Sequence, residues 1–296
     1  MGAEMELFGL KFKNPILTAS GILGISQKLF RRLEKAGCGG IVTKSIGLKP
    51  GAGYKNPTVV ELEYGLINAM GLPNPGIDAF ISEIEDLKLK IPLIVSIFGR
   101  DGKEFSKLAK ELEDKCDALE LNVSCPHTKI LEIGQHSEAV FKVTKTVRDS
   151  CEIPILVKLT PNVTDIVKVA KQAEKGGADG ITAINTLKAL AIDIEAEKPI
   201  LSNIYGGLSG KCIKPVALRC VYDIYKNVDI PIVGVGGISC FTDVLEFLMC
   251  GASLVQVGTF LKDGIEIFEE LKSGVERFLK EKNYTYEDLI GRAVKM

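Results

Sequence analysis

Short apolar runs rich in β-branched residues recur along the chain, and stretches with helical spacing lie between many of them. In the helical stretches apolar residues return every three or four positions; examples are 104–115, 137–149, 164–177 and 241–252. The apolar runs number eight and cover 15–20, 40–44, 91–97, 118–123, 153–159, 180–185, 230–235 and 253–258. Alternating strands and helices favour parallel pairing. Eight such strands predict a closed (β/α)₈ TIM barrel, and a doubly wound open sheet is the alternative.

Two stretches are too long to be simple connections between a strand and a helix. Residues 45–78 are rich in Gly, Pro and Asn, and residues 186–210 contain the run GGLSG. Long connections in a compact domain usually bind or cover something. No change in composition marks a second domain, so we interpret residues 1–296 as a single domain.

The overall charge and composition argue against nucleic acid and membrane lipid as binding partners. The 296 residues carry a formal net charge of −1 and include no Trp, so there is no basic field for nucleic acid or anionic lipid. The N-terminal residues contain acidic side chains and no long apolar segment, which predicts neither a secretory signal nor a membrane anchor. We therefore expect a cytoplasmic protein that acts on a small molecule.

Among the eight cysteines, Cys125 has a distinctive position. None of the eight forms a C-x-x-C pair, so we expect no metal or iron–sulfur cluster on this chain. Cys125 directly follows a predicted strand, in a turn that Pro126 stiffens. A thiol has a pKa of about 8.5 and can serve as a general base. His127 suggests a Cys–His nucleophile instead, although hydrolases usually take that histidine from a distant segment.

Polar residues follow most of the predicted strands. Active sites of barrels lie at the C-terminal ends of the strands, so this arrangement predicts a site there. A single residue of this kind would be interpreted as a strand-end cap, but six strand ends share the feature. The residues are Ser20, Lys44, Ser45, Ser96, Asn122, Cys125, Lys158, Asn185 and Thr186.

Three glycine-rich runs predict a phosphate site. GVGGIS (234–239) and QVGT (256–259) follow the seventh and eighth strands, where barrels often bind phosphate, and GGLSG (206–210) adds a third run. The G-x-G-x-x-G spacing of a dinucleotide site is missing, so a mononucleotide is favoured. Tight turns are the alternative interpretation.

Lys158 lies in an apolar strand and should point into the barrel, because Val157 and Leu159 should point the other way. A buried amine needs an anionic partner, and a reduced flavin would be one. A phosphate-binding aldolase or isomerase with Lys158 as a Schiff-base amine is the alternative enzyme class. A barrel that serves only as an interaction module would leave the polar strand ends unexplained.

Eight motifs carry a resemblance to a known family. The chain resembles the class 1 dihydroorotate dehydrogenases, flavin enzymes of pyrimidine synthesis, and is most similar to class 1B over essentially its whole length. Class 2 enzymes use a serine base, so Cys125 argues against them. The motifs are ASG (19–21), TKS (43–45), NAMGLPNPG (68–76), LNVSCP (121–126), VKLTPN (157–162), the stretch 185–210, GVGGI (234–238) and GASLVQVGT (251–259).

The resemblance implies a role for each matching residue in one FMN-binding barrel domain. Cys125 would remove a proton from carbon 5 of dihydroorotate while hydride leaves carbon 6 for the flavin, with Lys158 near the flavin's pyrimidine end. The substrate would be held by Lys44, Asn68, Met70, Gly71, Leu72, Asn122, Asn185 and Thr186. FMN would be held by Ser20, Lys44, Ser45, Ser96, Asn122, Lys158, Ile184, Gly210, Gly236, Gly237, Gly258 and Thr259.

Two positions depart from the family pattern. Ser96 stands where the family commonly has Asn. His127 also replaces a common Asn, and in this respect the chain resembles the dihydropyrimidine dehydrogenases, so that activity stays an alternative. Class 1B implies a homodimer associated with a second subunit that carries FAD and an iron–sulfur cluster and passes electrons to NAD. Class 1A would use fumarate and no partner.

Overall fold

The computed structural model describes residues 5–124 and 133–295. The strands are β1 Met5–Leu7, β2 Leu10–Phe12, β3 Ile16–Thr18, β4 Ile41–Val42, β5 Val59–Leu62, β6 Gly65–Asn68, β7 Leu93–Ile97, β8 Ala118–Asn122, β9 Ile155–Leu159, β10 Gly180–Ala183, β11 Leu187–Leu190, β12 Ile192–Asp193, β13 Lys198–Pro199, β14 Tyr205–Ser209, β15 Ile232–Val235 and β16 Ala252–Val257. The helices are α1 Gln27–Lys35, α2 Ile77–Ile84, α3 Gly102–Leu112, α4 Ser137–Arg148, α5 Ile166–Lys175, α6 Lys214–Tyr225, α7 Phe241–Met249, α8 Ile267–Lys282 and α9 Tyr286–Leu289.

Eight parallel strands form a closed barrel. Their order around the sheet is β3-β16-β15-β10-β9-β8-β7-β4, and a parallel bridge between Leu17 and Gly40 joins its two edges. At that seam the Thr18 N–H donates to the Gly40 carbonyl at 3.2 Å, and the Gly39 N–H donates to the Ile16 carbonyl at 2.8 Å. All eight strands fall on the eight apolar runs, so the predicted TIM barrel is confirmed.

The flanking helices bury one apolar face against the barrel. In α3 the fully buried residues recur at helical spacing, and the Asp101 carboxylate accepts two 3.0 Å hydrogen bonds from backbone N–H groups of the first turn. In α5 the Asp165 side chain caps the first turn in the same way. The buried face of α3 consists of Phe105, Leu108, Ala109 and Leu112. Such spacing is what the sequence pattern predicted for helices packed on a barrel.

The two ends of the barrel differ. The β1–β2 hairpin lies at the N-terminal end, where the Phe8 ring would be 2.8 Å from a Cβ atom placed on Gly180, the first residue of β10. The C-terminal end carries a second sheet of four antiparallel strands in the order β11-β14-β6-β5, together with the β12–β13 hairpin. The hairpin and the second sheet thus mark opposite ends.

The second sheet is built from the two long stretches, residues 45–78 and 186–210, in which the sequence pattern predicts no strand. Strands β6 and β14 pair although they lie far apart in the sequence, which local patterns do not reveal. Glycines in β14 looked like turn signals, yet they permit close packing. A Cβ atom on Gly206 would lie 2.7 Å from the Asn68 carbonyl oxygen, and one on Gly207 would overlap the Thr186 side chain.

Candidate active site

A chain of hydrogen-bonded polar side chains crosses the C-terminal mouth of the barrel. The Ser20 and Ser45 hydroxyls lie 3.2 Å apart, and the Ser45 and Ser96 hydroxyls 2.9 Å apart. The Asn122 amide donates to the Ser45 hydroxyl at 3.1 Å, and the Asn185 amide donates to the Asn122 side-chain oxygen at 3.3 Å. The structure therefore brings together side chains from the ends of five barrel strands.

Asn162 continues this chain and was absent from the predicted site residues. Its side-chain amide donates to the Thr186 carbonyl at 2.9 Å, and its side-chain oxygen accepts from the Lys188 N–H at 2.9 Å. The Thr186 N–H in turn donates to the Asn185 side-chain oxygen at 2.8 Å. Asn162 thus fixes the path from β10 into β11. Its position three residues after the strand that carries Lys158 was the available signal.

Below the mouth, three buried polar side chains meet inside the barrel. Lys158 is 4% exposed, Glu120 is fully buried and Gln256 is 1% exposed. The Lys158 ammonium lies 3.4 Å from a Glu120 carboxylate oxygen and 3.3 Å from the Gln256 side-chain oxygen. The Gln256 amide donates to the other Glu120 oxygen at 2.6 Å. Lys158 points inward as the alternation of its strand predicts, whereas Glu120 and Gln256 were not predicted as part of the site.

Lys44 is half-buried at the end of β4. Burial lowers its pKa below the usual value, because loss of water disfavours the charged ammonium. A ligand anion beside Lys44 would offset that penalty. Burial has the opposite consequence for two cysteines away from the mouth, since it raises the pKa of Cys38 and of Cys116 to about 12. These two thiols are unsuited to act as bases near neutral pH.

Cys125 and His127 lie outside the described residues, which stop at Ser124 and resume at Ile133. The prediction that Cys125 is a base, and the alternative Cys–His pair, therefore stay predictions. The two described ends of this segment are both tied to the barrel mouth. The Ser124 hydroxyl donates to the Lys158 carbonyl at 3.1 Å, and the Gly134 N–H donates to the Val123 carbonyl at 2.8 Å.

The predicted phosphate residues converge from three loops. Gly236 and Gly237 follow β15 with φ of 134° and 79°, and a Cβ atom on Gly237 would lie 2.9 Å from the Gly210 carbonyl oxygen. The Thr259 hydroxyl donates to the Ser209 hydroxyl at 2.8 Å, which ties the loop after β16 to the end of β14. We call Ser209, Gly210, Gly236, Gly237, Gly258 and Thr259 the glycine cradle.

The glycine cradle suits a phosphate group. Short 3₁₀ helices begin directly after Gly210 and at Thr259, and α6 follows the first of them, so helix starts lie at the cradle. Backbone N–H groups at such positions bind anions, and glycine allows an anion to approach the backbone closely. The nearby Lys214 ammonium is already paired with Asp243 at 2.6 Å and Glu246 at 2.7 Å.

The remaining predicted residues are Asn68, Ile184 and the segment of Met70, Gly71 and Leu72. Asn68 ends β6, and its amide lies 3.4 Å from the Gly207 carbonyl, beside Thr186. Ile184 is buried, follows a cis peptide bond and donates its N–H to the Val235 carbonyl at 2.9 Å. The segment of Met70, Gly71 and Leu72 contacts residues 51–54. Gly71 and Leu72 have φ of 73° and 53°.

Metal and membrane features are not seen in the described parts of the chain. Across residues 5–124 and 133–295, His, Cys and carboxylate side chains do not gather in groups of three or more that could hold a metal ion. None of the helices in those two ranges combines the length and apolar character needed to cross a membrane.

A closed barrel that gathers glycine-rich loops, a buried lysine and a chain of polar side chains at the C-terminal ends of its strands has the architecture of a barrel enzyme. Residues 3–279 match the model of the dihydroorotate dehydrogenase family. The dihydroorotate dehydrogenase B (NAD(+)) catalytic subunit of Pyrococcus abyssi is 53% identical over 99% of both chains. The proteins with that same name from Methanocaldococcus jannaschii and Methanothermobacter thermautotrophicus are 47% and 45% identical, and the matches cover 97% or more of every chain.

The chain therefore belongs to the dihydroorotate dehydrogenase family. The resemblance drawn from the motifs is confirmed, including its subclass, because these relatives are named catalytic subunits of dihydroorotate dehydrogenase B (NAD(+)), which is the class 1B type. The family consists of flavin-dependent oxidoreductases, which supports the predicted enzyme class.

Proposed function

We propose that this chain is the FMN-dependent catalytic subunit of a dihydroorotate dehydrogenase and oxidises dihydroorotate to orotate in pyrimidine synthesis. The observation that carries the proposal is that one barrel mouth holds a glycine cradle, the Lys158 amine and a connected chain of Ser and Asn side chains. Family membership supplies the reaction class. The barrel of residues 1–296 acts as one FMN-binding domain, and we expect it in the cytoplasm.

The residues at the mouth fit a flavin mononucleotide. The phosphate would bind at the glycine cradle, and the ring system would lie over the interior where Lys158 is buried. Ser20, Ser45 and Ser96 offer hydrogen-bonded hydroxyls at the same mouth. FMN, when bound there, supplies the acceptor for a hydride. Lys158 is suited to stabilise the negative charge that develops on the ring during the transfer.

The polar chain also fits a cyclic substrate with ring amides and a carboxylate. Asn68, Asn122 and Asn185 each carry an amide that can donate and accept, which matches alternating N–H and C=O groups on a planar ring. Lys44 would pair with the carboxylate, and this contact would offset the burial that lowers its pKa. The segment of Met70, Gly71 and Leu72 would then cover the substrate from the second sheet.

The proton step is assigned to Cys125. Its thiolate takes the proton from carbon 5, the hydride leaves carbon 6, and the two electrons of the carbon–proton bond form the new double bond between these carbons. Cys125 follows Ser124 directly, and Ser124 is bonded to the strand of Lys158 at the mouth. The assignment rests on the sequence and on this attachment.

We further propose a homodimer that associates with a second subunit carrying FAD and an iron–sulfur cluster. The named relatives are catalytic subunits of NAD-linked enzymes, which supports a partner. The second sheet and its hairpin supply the exposed large apolar side chains of the described residues, and a surface of this kind is typical of protein contacts. These are Val59, Tyr64, Met70, Leu190, Ile192, Ile194, Ile204 and Tyr205.

A visible spectrum of the purified chain tests the proposed reaction. We expect bound flavin whose absorbance bleaches when dihydroorotate is added without oxygen, and little response to dihydrouracil. Colourless protein that is trapped by borohydride with a carbonyl substrate would favour the aldolase alternative. Bleaching by dihydrouracil and not by dihydroorotate would favour the dihydropyrimidine dehydrogenase alternative.

The electron acceptor needs a separate assay. The chain alone should reduce an artificial dye with dihydroorotate but reduce NAD poorly, and NAD reduction should appear when the partner subunit is added. Rapid reduction of fumarate by the isolated chain, with no gain from a partner, would contradict the NAD-linked assignment.

A further inference from the structure

Lys158 contacts two buried polar side chains, Glu120 and Gln256, whose role the proposed reaction does not explain. Glu120 and Gln256 are at most 1% exposed and point into the barrel interior, so they are not solvated strand-end caps. Burying two opposite charges is often no more stabilising than apolar packing of similar volume. The group formed by Glu120, Lys158 and Gln256, called here the interior clamp, is therefore best explained by what it does to Lys158.

The interior clamp spans the barrel. In the closed ring, β16 with Gln256 and β8 with Glu120 are separated by three strands in either direction, so they face each other across the interior. The 2.6 Å bond from the Gln256 amide to Glu120 therefore ties opposite walls together. Lys158, on β9 beside β8, contacts one oxygen from each partner. Its ammonium is therefore held between these two side chains inside the barrel.

The register sets the height of the ammonium relative to the mouth. Lys158 pairs in register with Asn122, a member of the polar chain, whereas Glu120 lies two residues deeper on the same face of β8. The two contacts of Lys158 are long, at 3.4 and 3.3 Å, and an ammonium has three N–H donors. Within the described residues, the clamp thus accounts for two of the three donors of the ammonium.

We propose that Glu120 and Gln256 are positioning residues that hold the Lys158 ammonium against the flavin ring and thereby set the reduction potential of the bound flavin. This inference rests on the proposed FMN site. Glu120 supplies the counter-charge that keeps a cation in the barrel interior. Gln256 fixes Glu120 from the opposite wall. Both act on the flavin through Lys158 alone.

Gln256→Leu tests the proposal without changing the charge of the chain. The measurements are the affinity of the apoprotein for FMN and the two-electron midpoint potential of bound FMN. We expect Gln256→Leu to lower the stability of reduced relative to oxidised flavin by about tenfold, which is about 30 mV. Lys158→Met should have at least the same effect. Ser253→Ala is the matched control, because it changes another buried polar residue of the same strand that is not part of the interior clamp. It should leave the potential unchanged.

The decisive comparison is made in the Lys158→Met background. There, Gln256→Leu and Glu120→Gln should each change the potential by less than twofold, about 9 mV. In the presence of Lys158, each should change it by about tenfold. Equal effects in both backgrounds would mean that Glu120 and Gln256 act on the flavin independently of Lys158, and the positioning role would be wrong.

Two further controls keep the result interpretable. If Gln256→Leu fails to fold, Gln256→Asn shortens the side chain while keeping the amide, and it should shift the potential in the same direction. Wild-type protein that does not bind FMN would overturn the proposed function itself. Wild-type protein that binds FMN, together with folded variants of unchanged potential, would overturn only the interior clamp.

Discussion

Replacing Gly237 by alanine adds one methyl group to the glycine cradle at its most confined point. The Cβ atom would lie 2.7 Å from the Lys214 Cβ and 2.9 Å from both the Gly210 carbonyl oxygen and the Lys214 nitrogen. Two of these three neighbours are backbone atoms, which cannot rotate away. The φ of Gly237 is 79°, a conformation that alanine adopts only with strain.

The two effects set the expected size of the change. A left-handed backbone costs a non-glycine residue about 1–2 kcal/mol, and overpacking costs about 1–3 kcal/mol, which together give about 2–5 kcal/mol. The free loop can relax away from the methyl group, whereas a bound phosphate requires the native path. The strain therefore appears as weaker FMN binding, by about 30- to 4000-fold.

The assay is a titration of apoprotein with FMN and, separately, with riboflavin, followed by flavin fluorescence. Gly237→Ala should weaken FMN binding and leave riboflavin binding unchanged, because riboflavin has no phosphate. Gly24→Ala is the matched control, since its Cβ atom would lie 3.8 Å from its nearest neighbour at ordinary φ. Gly258→Ala, with a 3.3 Å contact, should give a smaller loss.

An FMN affinity of Gly237→Ala within about threefold of wild type, in a folded protein, would refute the cradle as the phosphate site, since the expected strain is worth far more than a factor of three. Equal losses for FMN and riboflavin would refute it as well. They would show that the methyl group disturbs the ring site or the whole barrel.

Three other predictions follow from the site and its surroundings. Cys125→Ala should keep bound FMN but slow flavin reduction by dihydroorotate by about 10²–10⁴-fold in anaerobic stopped flow; Cys250→Ala is the control, and near wild-type speed in Cys125→Ala would exclude the base. Orotate should protect residues 127–135 from proteolysis, because apolar residues and a glycine there suit a lid, and equal cleavage with and without orotate would exclude one. Burial raises the pKa of Asp243, but hydrogen bonds from Lys214 and backbone N–H groups outweigh it, so the net pKa lies below the usual value. The carboxylate therefore stabilises the fold above a pH of about 4 and loses this effect as the pH falls through the folded pKa, so Asp243→Asn should lower the free energy of unfolding at pH 7 but not at pH 2.5, as urea titrations at both values will show.

The sequence alone determined the barrel. Its eight strands are buried on both faces, so each is a continuous apolar run between stretches of helical spacing. Such local patterns can be recognised in the sequence without knowing which residues are in contact. The inward direction of Lys158 also followed from strand alternation. The glycine runs pointed to a phosphate site for a similar reason, because strand order fixes which loops meet at the mouth.

The second sheet, the role of Asn162 and the contact between Glu120 and Gln256 could be recognised only from the tertiary structure. Strands β6 and β14 pair across a long stretch of sequence, and the glycines that permit their close approach resemble turn residues when seen locally. Asn162 joins the mouth through hydrogen bonds to Thr186 and Lys188, which are remote in sequence. Glu120 and Gln256 meet only because the sheet closes into a ring. Closure depends on contacts between residues far apart in the sequence, and local patterns do not show which residues these are.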